Sequence, residues 1–251
     1  MGNGSAALAA VGMAPGLALG SFLTVVASRV PAGRSIVRPG SACGSCSTPI
    51  AWYDNVPLLS YLLLRGRCRN CGSGIGLLYP ALELVTALLV AACLLAFGLS
   101  PHAAVAAFTC CVLVAVSAVD IERRIIPDKI VLPATVAVLG AQTVLHPSPE
   151  WVLASLGASA FLLAAVLAYP GGMGLGDVKL ALLMGAVLGR SVGVALMIAM
   201  AAAMIPALFL LARHGAAARK MAIPFGPFLA FGTVVALFAG DRLLHAYLAT
   251  F

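Results

Sequence analysis

Charged side chains are scarce in this sequence. Asp, Glu, Lys and Arg together make up 9% of its 251 residues, whereas a soluble domain carries about 25%. Hydrophobic residues reach 62% and the mean hydropathy is +1.08. This composition excludes an ordinary soluble globular domain and predicts an all-α polytopic membrane protein.

Acidic residues and histidines are also few. The sequence has eight Asp and Glu against fifteen Lys and Arg, and only four His. The basic residues are scattered between apolar runs, which argues against nucleic-acid binding and makes them indicators of membrane topology. The histidines form no cluster typical of a metal site, and no Ser-His-Asp arrangement falls at a common depth.

About eight apolar runs are long enough, or nearly so, to cross a bilayer, for which about 20 helical residues are needed. The sixth run is the shortest. The runs are Ala6–Ala27, Tyr79–Gly98, Ala103–Val119, Ile130–Leu145, Val152–Tyr169, Val178–Leu188, Val192–Leu211 and Phe228–Tyr247.

Basic residues fall almost entirely on one side of these spans. Thirteen of the fifteen lie in the loops after spans one, three, five and seven, and only Arg190 and Arg242 fall on the other side. The positive-inside rule therefore places those four loops in the cytoplasm and both chain termini outside.

Two acids lie at the cytoplasmic edge of the apolar layer. Asp120 ends span three in "AVSAVDIERRIIPDKIVLP", and Asp177 begins span six behind the glycine-rich stretch "GGMGLG". A carboxylate at that depth is costly and suggests a function. Glu122 and Asp128 are interpreted as solvated partners of nearby basic residues, and Glu83, which enters span two, as a possible partner of an arginine.

Two close carboxylates cannot easily both ionise, so one of them holds a proton. The ionised member can deprotonate a water molecule that attacks an amide carbonyl, and the protonated member can polarise that carbonyl and protonate the leaving amine. This is the chemistry of an aspartyl protease. The glycines before Asp177 would let an extended substrate backbone approach closely.

Two alternatives stay open on the residues alone. In the first alternative, which the residues support about as well as a catalytic pair, neither acid has a chemical role. Asp177 then only caps span six, and Asp120 only ends span three. A transporter or membrane scaffold with a metal-stapled loop also fits, because transporters combine interrupted helices with membrane acids.

The large polar loop from Ser28 to Leu78 contains two Cys-x2-Cys pairs. The spacing Cys-x2-Cys-x21-Cys-x2-Cys is typical of a zinc site, and a reducing cytosol disfavours disulfides. Four thiolates leave no open coordination position, so the predicted Zn2+ is structural. Its predicted ligands are Cys43, Cys46, Cys68 and Cys71.

Several motifs resemble those of the type IV prepilin peptidases, which are prepilin leader peptidases and N-methyltransferases. "GLALGSFLTVVASRVP" is similar to the first-helix motif of the family, and "CGSC" followed by "WYDNVPLLSYLLLRGRCRNC" to its cytoplasmic cysteine domain. "LYPALELVTALL" resembles its entrance to span two and "IPFGPFLAFG" its last-helix motif. "VDIERRIIPD" and "GMGLGDVKL" resemble its two aspartate motifs, the second of the GxGD type of intramembrane aspartyl proteases.

The resemblance implies that Asp120 and Asp177 are the catalytic pair of an aspartic endopeptidase in the inner (cytoplasmic) membrane. The substrates would be prepilins or pseudopilins, whose short leader peptides are cleaved at the cytoplasmic face. It also implies methylation of the new N-terminus with S-adenosylmethionine. Thr24 and Leu78 depart from the family pattern, which commonly has Asn and Arg there.

The expected organisation has three parts. Residues 1–27 form the first transmembrane helix, residues 28–78 a cytoplasmic cysteine-rich zinc-binding domain, and residues 79–251 the transmembrane aspartyl peptidase core.

Overall fold

A computed structural model describes residues 2–169, 171–215 and 223–249 of the chain. Arg219 and Lys220, two of the basic residues used to predict topology, lie outside these residues. The described chain contains nine α-helices, α1 to α9, two 3-10 helices and two isolated β-bridges, but no strand. The α-helices are Gly2–Arg29, Leu59–Leu63, Leu78–Phe97, Pro101–Arg123, Asp128–Leu145, Glu150–Ala168, Leu175–Leu188, Val192–His214 and Gly226–Leu248.

The predicted all-α membrane architecture is confirmed. Each predicted apolar run coincides with one long helix, and the short helix α2 lies in the cysteine-rich loop. Seven segments of the described chain are long and apolar enough to span a membrane, among them the continuous segment Leu175–His214, which contains both α7 and α8. The chain forms two compact units, Met1–Ala118 and Val119–Phe251. The predicted boundaries at residues 27 and 78 stay a prediction.

In the first unit, α1 and α3 pack through glycines at every fourth position of α1, namely Gly12, Gly16 and Gly20. A Cβ atom at Gly16 would lie 2.6 Å from Cα of Ala87, and one at Gly20 would lie 2.6 Å from Cα of Glu83. Small residues at this spacing let two membrane helices approach until their backbones touch. The two helices therefore support the cysteine-rich loop that connects them.

Helix α7 is the centre of the second unit, because ten of its fourteen residues are buried. A helix that is apolar on all sides is stable when neighbours surround it. Gly185 of α7 lies against the backbone of Ala154 and Ser155 in α6. Ser155 Oγ also donates a hydrogen bond of 2.7 Å to the carbonyl of Leu182. These contacts hold the second half of α7 against α6.

The end of α4 and the start of α5 are set by local sequence. Arg124 follows α4 with φ of +55°, a left-handed conformation that ends the helix. Ile126 precedes Pro127, which disfavours helical backbone at the residue before it, and α5 begins at Asp128. Asp120 is therefore in the last turn of α4, next to a short loop.

Candidate active site and cysteine cluster

Asp177 occupies the third position of α7, directly after the glycine-rich stretch. The backbone N–H of Gly174, the N-cap residue, donates a hydrogen bond of 3.2 Å to Asp177 Oδ2. Only 8% of Asp177 is exposed. The predicted location of Asp177 at a helix N-terminus is therefore confirmed. The positive end of the helix dipole favours a negative charge at this position.

Asp120 is buried at the end of α4, with 6% of the residue exposed. Its Oδ2 accepts a hydrogen bond of 2.9 Å from the backbone N–H of Gly226, the first residue of α9. A Cβ atom at residue 226 would lie 2.8 Å from that oxygen. Residue 226 must therefore be glycine for its N–H to bond Asp120 Oδ2 at the observed 2.9 Å.

The fold brings the two predicted aspartates into one buried site in the second unit. Asp120 is close enough to Asp177 for their charges to interact. Each carboxylate accepts one backbone N–H at the start of a helix, and no other described residue donates a hydrogen bond to either. Among the described residues, one oxygen of each carboxylate therefore has no donor and can contact water or a substrate.

The glycine-rich stretch allows a close approach of the loop that follows α4. A Cβ atom at Gly176 would lie 2.8 Å from Cβ of Ile126. Gly171 has φ of +90°, a conformation that side chains other than glycine rarely adopt. The glycines of this stretch therefore have a structural role, because Gly176 lets the start of α7 pack against Ile126 in the loop that follows α4.

Lys179 and Asp128 form an ion pair that the sequence did not predict. Lys179 Nζ lies 2.7 Å from one carboxylate oxygen of Asp128 and 2.8 Å from the other. The pair joins the first turn of α5 to α7. Asp128 was expected to pair with basic residues of its own loop, but its partner comes from a helix that is distant in sequence.

Gly226 is the site residue that the sequence reasoning missed. It was quoted within "IPFGPFLAFG" without a role. A Gly-Pro pair at the start of a helix can be recognised in sequence, but the acceptor for the glycine N–H lies 106 residues away.

The cysteine-rich loop contains two turns with the same hydrogen bonds. In the first, Cys43 N–H donates to Thr48 O over 3.0 Å and Ser47 N–H donates to Cys43 O over 2.9 Å. In the second, Cys68 N–H donates to Ser73 O over 2.8 Å and Gly72 N–H donates to Cys68 O over 2.9 Å. Both turns need a residue with positive φ, 57° at Ser47 and 69° at Gly72.

These turns gather the four predicted metal ligands. The Sγ atoms of Cys43, Cys46, Cys68 and Cys71 all lie within 4.8 Å of one another, and the described residues include no other such group of Cys, His, Asp and Glu. Cys43 Sγ and Cys71 Sγ are 3.8 Å apart, close to the edge of a tetrahedron with Zn–S bonds of about 2.3 Å.

One of the four thiols also has an environment that favours the metal-binding thiolate. Hydrogen bonds from the backbone N–H groups of Cys46 and Ser45 lower the pKa of the Cys43 thiol to about 5. The thiolate, rather than the thiol, is the zinc ligand. The cluster is therefore suited to a Zn2+ ion in donor type and spacing.

Comparisons with known proteins agree with these features. Residues 107–250 match the family described as "Type IV leader peptidase family", and residues 15–97 match the "Bacterial Peptidase A24 N-terminal domain". A prepilin leader peptidase/N-methyltransferase of Bacillus subtilis (strain 168) is 35% identical over 243 residues, which is 93% of this chain and 95% of that protein.

A protein of the same name from Pseudomonas aeruginosa is 32% identical over 267 residues, covering 93% of this chain and 91% of that protein. One from Burkholderia pseudomallei (strain 1026b) is 35% identical over 263 residues, covering 90% and 83%. No solved structure matches the chain. The motifs, the membrane helices and these similarities together show that the chain belongs to the type IV leader peptidase family.

Proposed function

We propose that this protein is an aspartyl peptidase of the inner membrane that removes leader peptides from prepilins or pseudopilins and then methylates the new N-terminus. The observation that carries the proposal is the pair of buried, interacting carboxylates at Asp120 and Asp177. The membership of the chain in a leader peptidase family supports it, as do the names of its relatives.

The two aspartates divide the acid and base roles in peptide hydrolysis. Like charges at short range let the pair hold one proton between them. The ionised carboxylate takes a proton from water as the water oxygen attacks the scissile carbonyl. The protonated carboxylate donates to the carbonyl oxygen, and its proton reaches the leaving amine when the C–N bond breaks. By family resemblance, Asp177 helps to activate the water.

The neighbouring backbone supports this chemistry. The N–H groups of Gly174 and Gly226 each hold one carboxylate in place, and such fixed positions preserve the reactive geometry. The substrate would lie in extended form against the glycine-rich stretch, whose lack of side chains leaves its backbone accessible. The apolar helix of the substrate would approach laterally from the bilayer.

The site is proposed to face the cytoplasm, with both chain termini on the outer side. The distribution of basic residues supports this topology. Within the described chain, Arg123 ends α4 and Arg124 follows it, three and four residues after Asp120, and Lys179 lies two residues after Asp177. The four cysteines are proposed to hold a structural Zn2+ that stabilises the loop between α1 and α3.

Cleavage of a purified prepilin by the purified protein tests the proposal directly. Both proteins are mixed in detergent or liposomes, and mass spectrometry identifies the new N-terminus. The expected result is a single cut after the short basic leader. A folded preparation that leaves several candidate prepilins intact, but moves protons or a solute across liposomes, would favour a transporter instead.

A further inference from the structure

The short helix α2, Leu59–Leu63, presents leucines on its outer side. The exposed fractions of Leu59, Leu62 and Leu63 are 53%, 70% and 72%. Residues three and four positions apart lie on the same side of a helix, so the three side chains form one surface, the leucine face of α2. A contiguous exposed apolar surface indicates an interaction site.

The other side of α2 is polar and is buried in the cysteine-rich loop. Ser60 is only 7% exposed. Its Oγ donates a hydrogen bond of 2.9 Å to the carbonyl of Tyr53 and accepts one of 3.1 Å from the N–H of Val56. Tyr61 packs against Gly66, where a Cβ atom would lie 2.8 Å from the tyrosine hydroxyl. A loop surrounded by water would bury its leucines and expose its serine, so the leucine face fits an apolar surrounding.

A hydrogen bond to α3 fixes the level of α2 along that helix. The backbone N–H of Leu58, the N-cap residue of α2, donates to Glu83 Oε2 over 2.8 Å. Glu83, a possible arginine partner on the sequence alone, pairs with no cation in the described chain and binds this N–H instead.

Glu83 lies near the end of α3 where the chain enters the membrane. It is the sixth residue of α3, so it lies about 7.5 Å along the helix axis from Leu78. Helix α3 is long and apolar enough to span a bilayer. The start of α2 is therefore level with the first turns of a membrane helix, where the apolar layer meets the headgroups.

Aromatic and basic side chains flank the leucine face. Trp52, which is 83% exposed, lies in the 3-10 helix that precedes α2, Trp52–Asp54. Tyr79, the second residue of α3, is half-exposed. Trp and Tyr are enriched where a bilayer meets water. Arg65 and Arg67 follow α2 and are exposed, and guanidinium groups bind phosphate. Such a composition is typical of segments that lie on a membrane surface.

We propose that α2 is an interfacial helix whose leucine face inserts into the bilayer surface, at the boundary between headgroups and acyl chains. The partner is the lipid that surrounds α3, so the contact continues the membrane interface of that helix. Arg65 and Arg67 bind headgroup phosphates, and Trp52 lies at the same level. A loop of this size buries little apolar area of its own, and the bilayer supplies the apolar surrounding that holds it beside α3.

Depth-dependent quenching of tryptophan fluorescence tests the contact. Trp52→Phe and Trp151→Phe remove the two native tryptophans, and Leu62→Trp places one reporter on the leucine face. The full chain is reconstituted in nanodiscs of phosphatidylcholine that carries bromine either near the headgroup or near the bilayer centre. We expect bromine near the headgroup to quench the emission more strongly than bromine near the centre, and aqueous iodide to quench it little.

Leu88→Trp in the same background calibrates the deep end of the scale. Leu88 lies in the middle of α3 and is 53% exposed, so bromine near the bilayer centre should quench this reporter more strongly. Leu62→Trp and Leu88→Trp each exchange one exposed apolar side chain for another, so they leave the internal packing intact.

Polar substitutions on the leucine face test the attachment by a second route. The double variant Leu62→Asn, Leu63→Asn removes most of the apolar face and leaves the inner side of α2 unchanged. Trypsin cleavage after Arg65 and Arg67 in nanodiscs should accelerate by at least about tenfold, because cleavage follows the population of loop that is released from the bilayer. Val37→Asn, at an exposed valine of the same loop outside α2, is the matched control and should leave the rate unchanged.

The possible occupants of the leucine face give different results. Quenching of Leu62→Trp by iodide but not by brominated lipid would show that the face lies in water and would overturn the proposal. Resistance to both quenchers would show that protein covers it, from the second unit or a second copy of the chain, and would overturn the proposal as well. Equal trypsin rates for the double variant and Val37→Asn would show that the face does not hold the loop.

Lipid quenching that is strongest near the headgroup, together with faster cleavage of the double variant, supports the interfacial helix. None of these measurements involves Asp120 or Asp177, so the peptidase assignment is tested separately.

Discussion

The backbone N–H of Gly226 donates a hydrogen bond of 2.9 Å to Oδ2 of Asp120, across 106 positions of sequence. Asp177 has the same kind of contact with Gly174 at the start of α7. Each candidate catalytic acid is therefore held by a backbone N–H at the start of a helix, α9 for Asp120 and α7 for Asp177. Helix N-termini stabilise negative charge, so whichever of the two acids is ionised has a backbone N–H directed at its carboxylate.

Replacing either aspartate should abolish leader cleavage. Asp120→Asn and Asp177→Asn each remove one half of an acid–base pair, and residues that act as a unit lose activity non-additively. Activity should fall at least roughly 1,000-fold in a quantitative assay with purified prepilin. Glu122→Gln and Asp128→Asn are the matched controls and should retain measurable cleavage. Full activity in a folded Asp120→Asn or Asp177→Asn variant would refute the assignment.

Gly226→Ala should impair cleavage without unfolding the protein. The new Cβ would lie 2.8 Å from Asp120 Oδ2, so the carboxylate must shift. A displacement near 1 Å can lower a rate by about 100-fold, and we expect a loss of about tenfold to 100-fold in kcat. Gly140→Ala is the control, because a Cβ there meets nothing within 4 Å. Equal rates for both variants would show that the Gly226 contact does not position Asp120.

Gly185→Ala should destabilise the second unit. Its Cβ would overlap the backbone of Ala154 and Ser155 in α6, and overpacking costs about 1–3 kcal/mol. Thermal unfolding in detergent measures the change. Gly157→Ala, in α6 itself, meets no atom within 4 Å and should leave the melting temperature unchanged or higher. A Gly185→Ala protein as stable as that control would contradict the α6–α7 contact.

The chain should bind one Zn2+, held by Cys43, Cys46, Cys68 and Cys71. Metal analysis of protein purified without chelator gives the stoichiometry. Because structural zinc binding is coupled to folding, Cys43→Ser should lower zinc content, loosen the loop to proteolysis and reduce activity indirectly. Cys93→Ser, in α3, should retain the metal. Native protein with four titratable loop thiols and no zinc would rule the site out.

Methyl transfer should survive loss of the peptidase acids. An aspartate pair provides no binding site for a methyl donor, whereas the cysteine-rich loop offers a polar surface for one. Asp120→Asn and Asp177→Asn should therefore still transfer labelled methyl groups from S-adenosylmethionine to a pilin that is already cleaved, while damage to the loop should impair methylation more than cleavage. If both folded variants lose methyl transfer as completely as cleavage, the two activities share one site.

The sequence by itself determined the membrane class, the positions of the long helices and the four cysteines. Each membrane span can be recognised from its own residues, since a run of about 20 apolar residues has few alternatives to a membrane helix. The four cysteines can be recognised in the same way, because the spacing of the two Cys-x2-Cys pairs is visible in the sequence. It also singled out Asp120 and Asp177, because acids are so rare here that a carboxylate at a span edge is conspicuous. Their catalytic roles stay a prediction.

Only the tertiary structure decided which helix ends meet at those acids. The bond from Gly226 to Asp120, the pairing of Lys179 with Asp128, and the contact of Gly185 with α6 join residues far apart in sequence. Lipid is as apolar as the side chains that face it, so hydropathy does not distinguish a lipid-facing helix surface from one that faces protein. The central position of α7 follows instead from close backbone packing, which depends on all its neighbours at once.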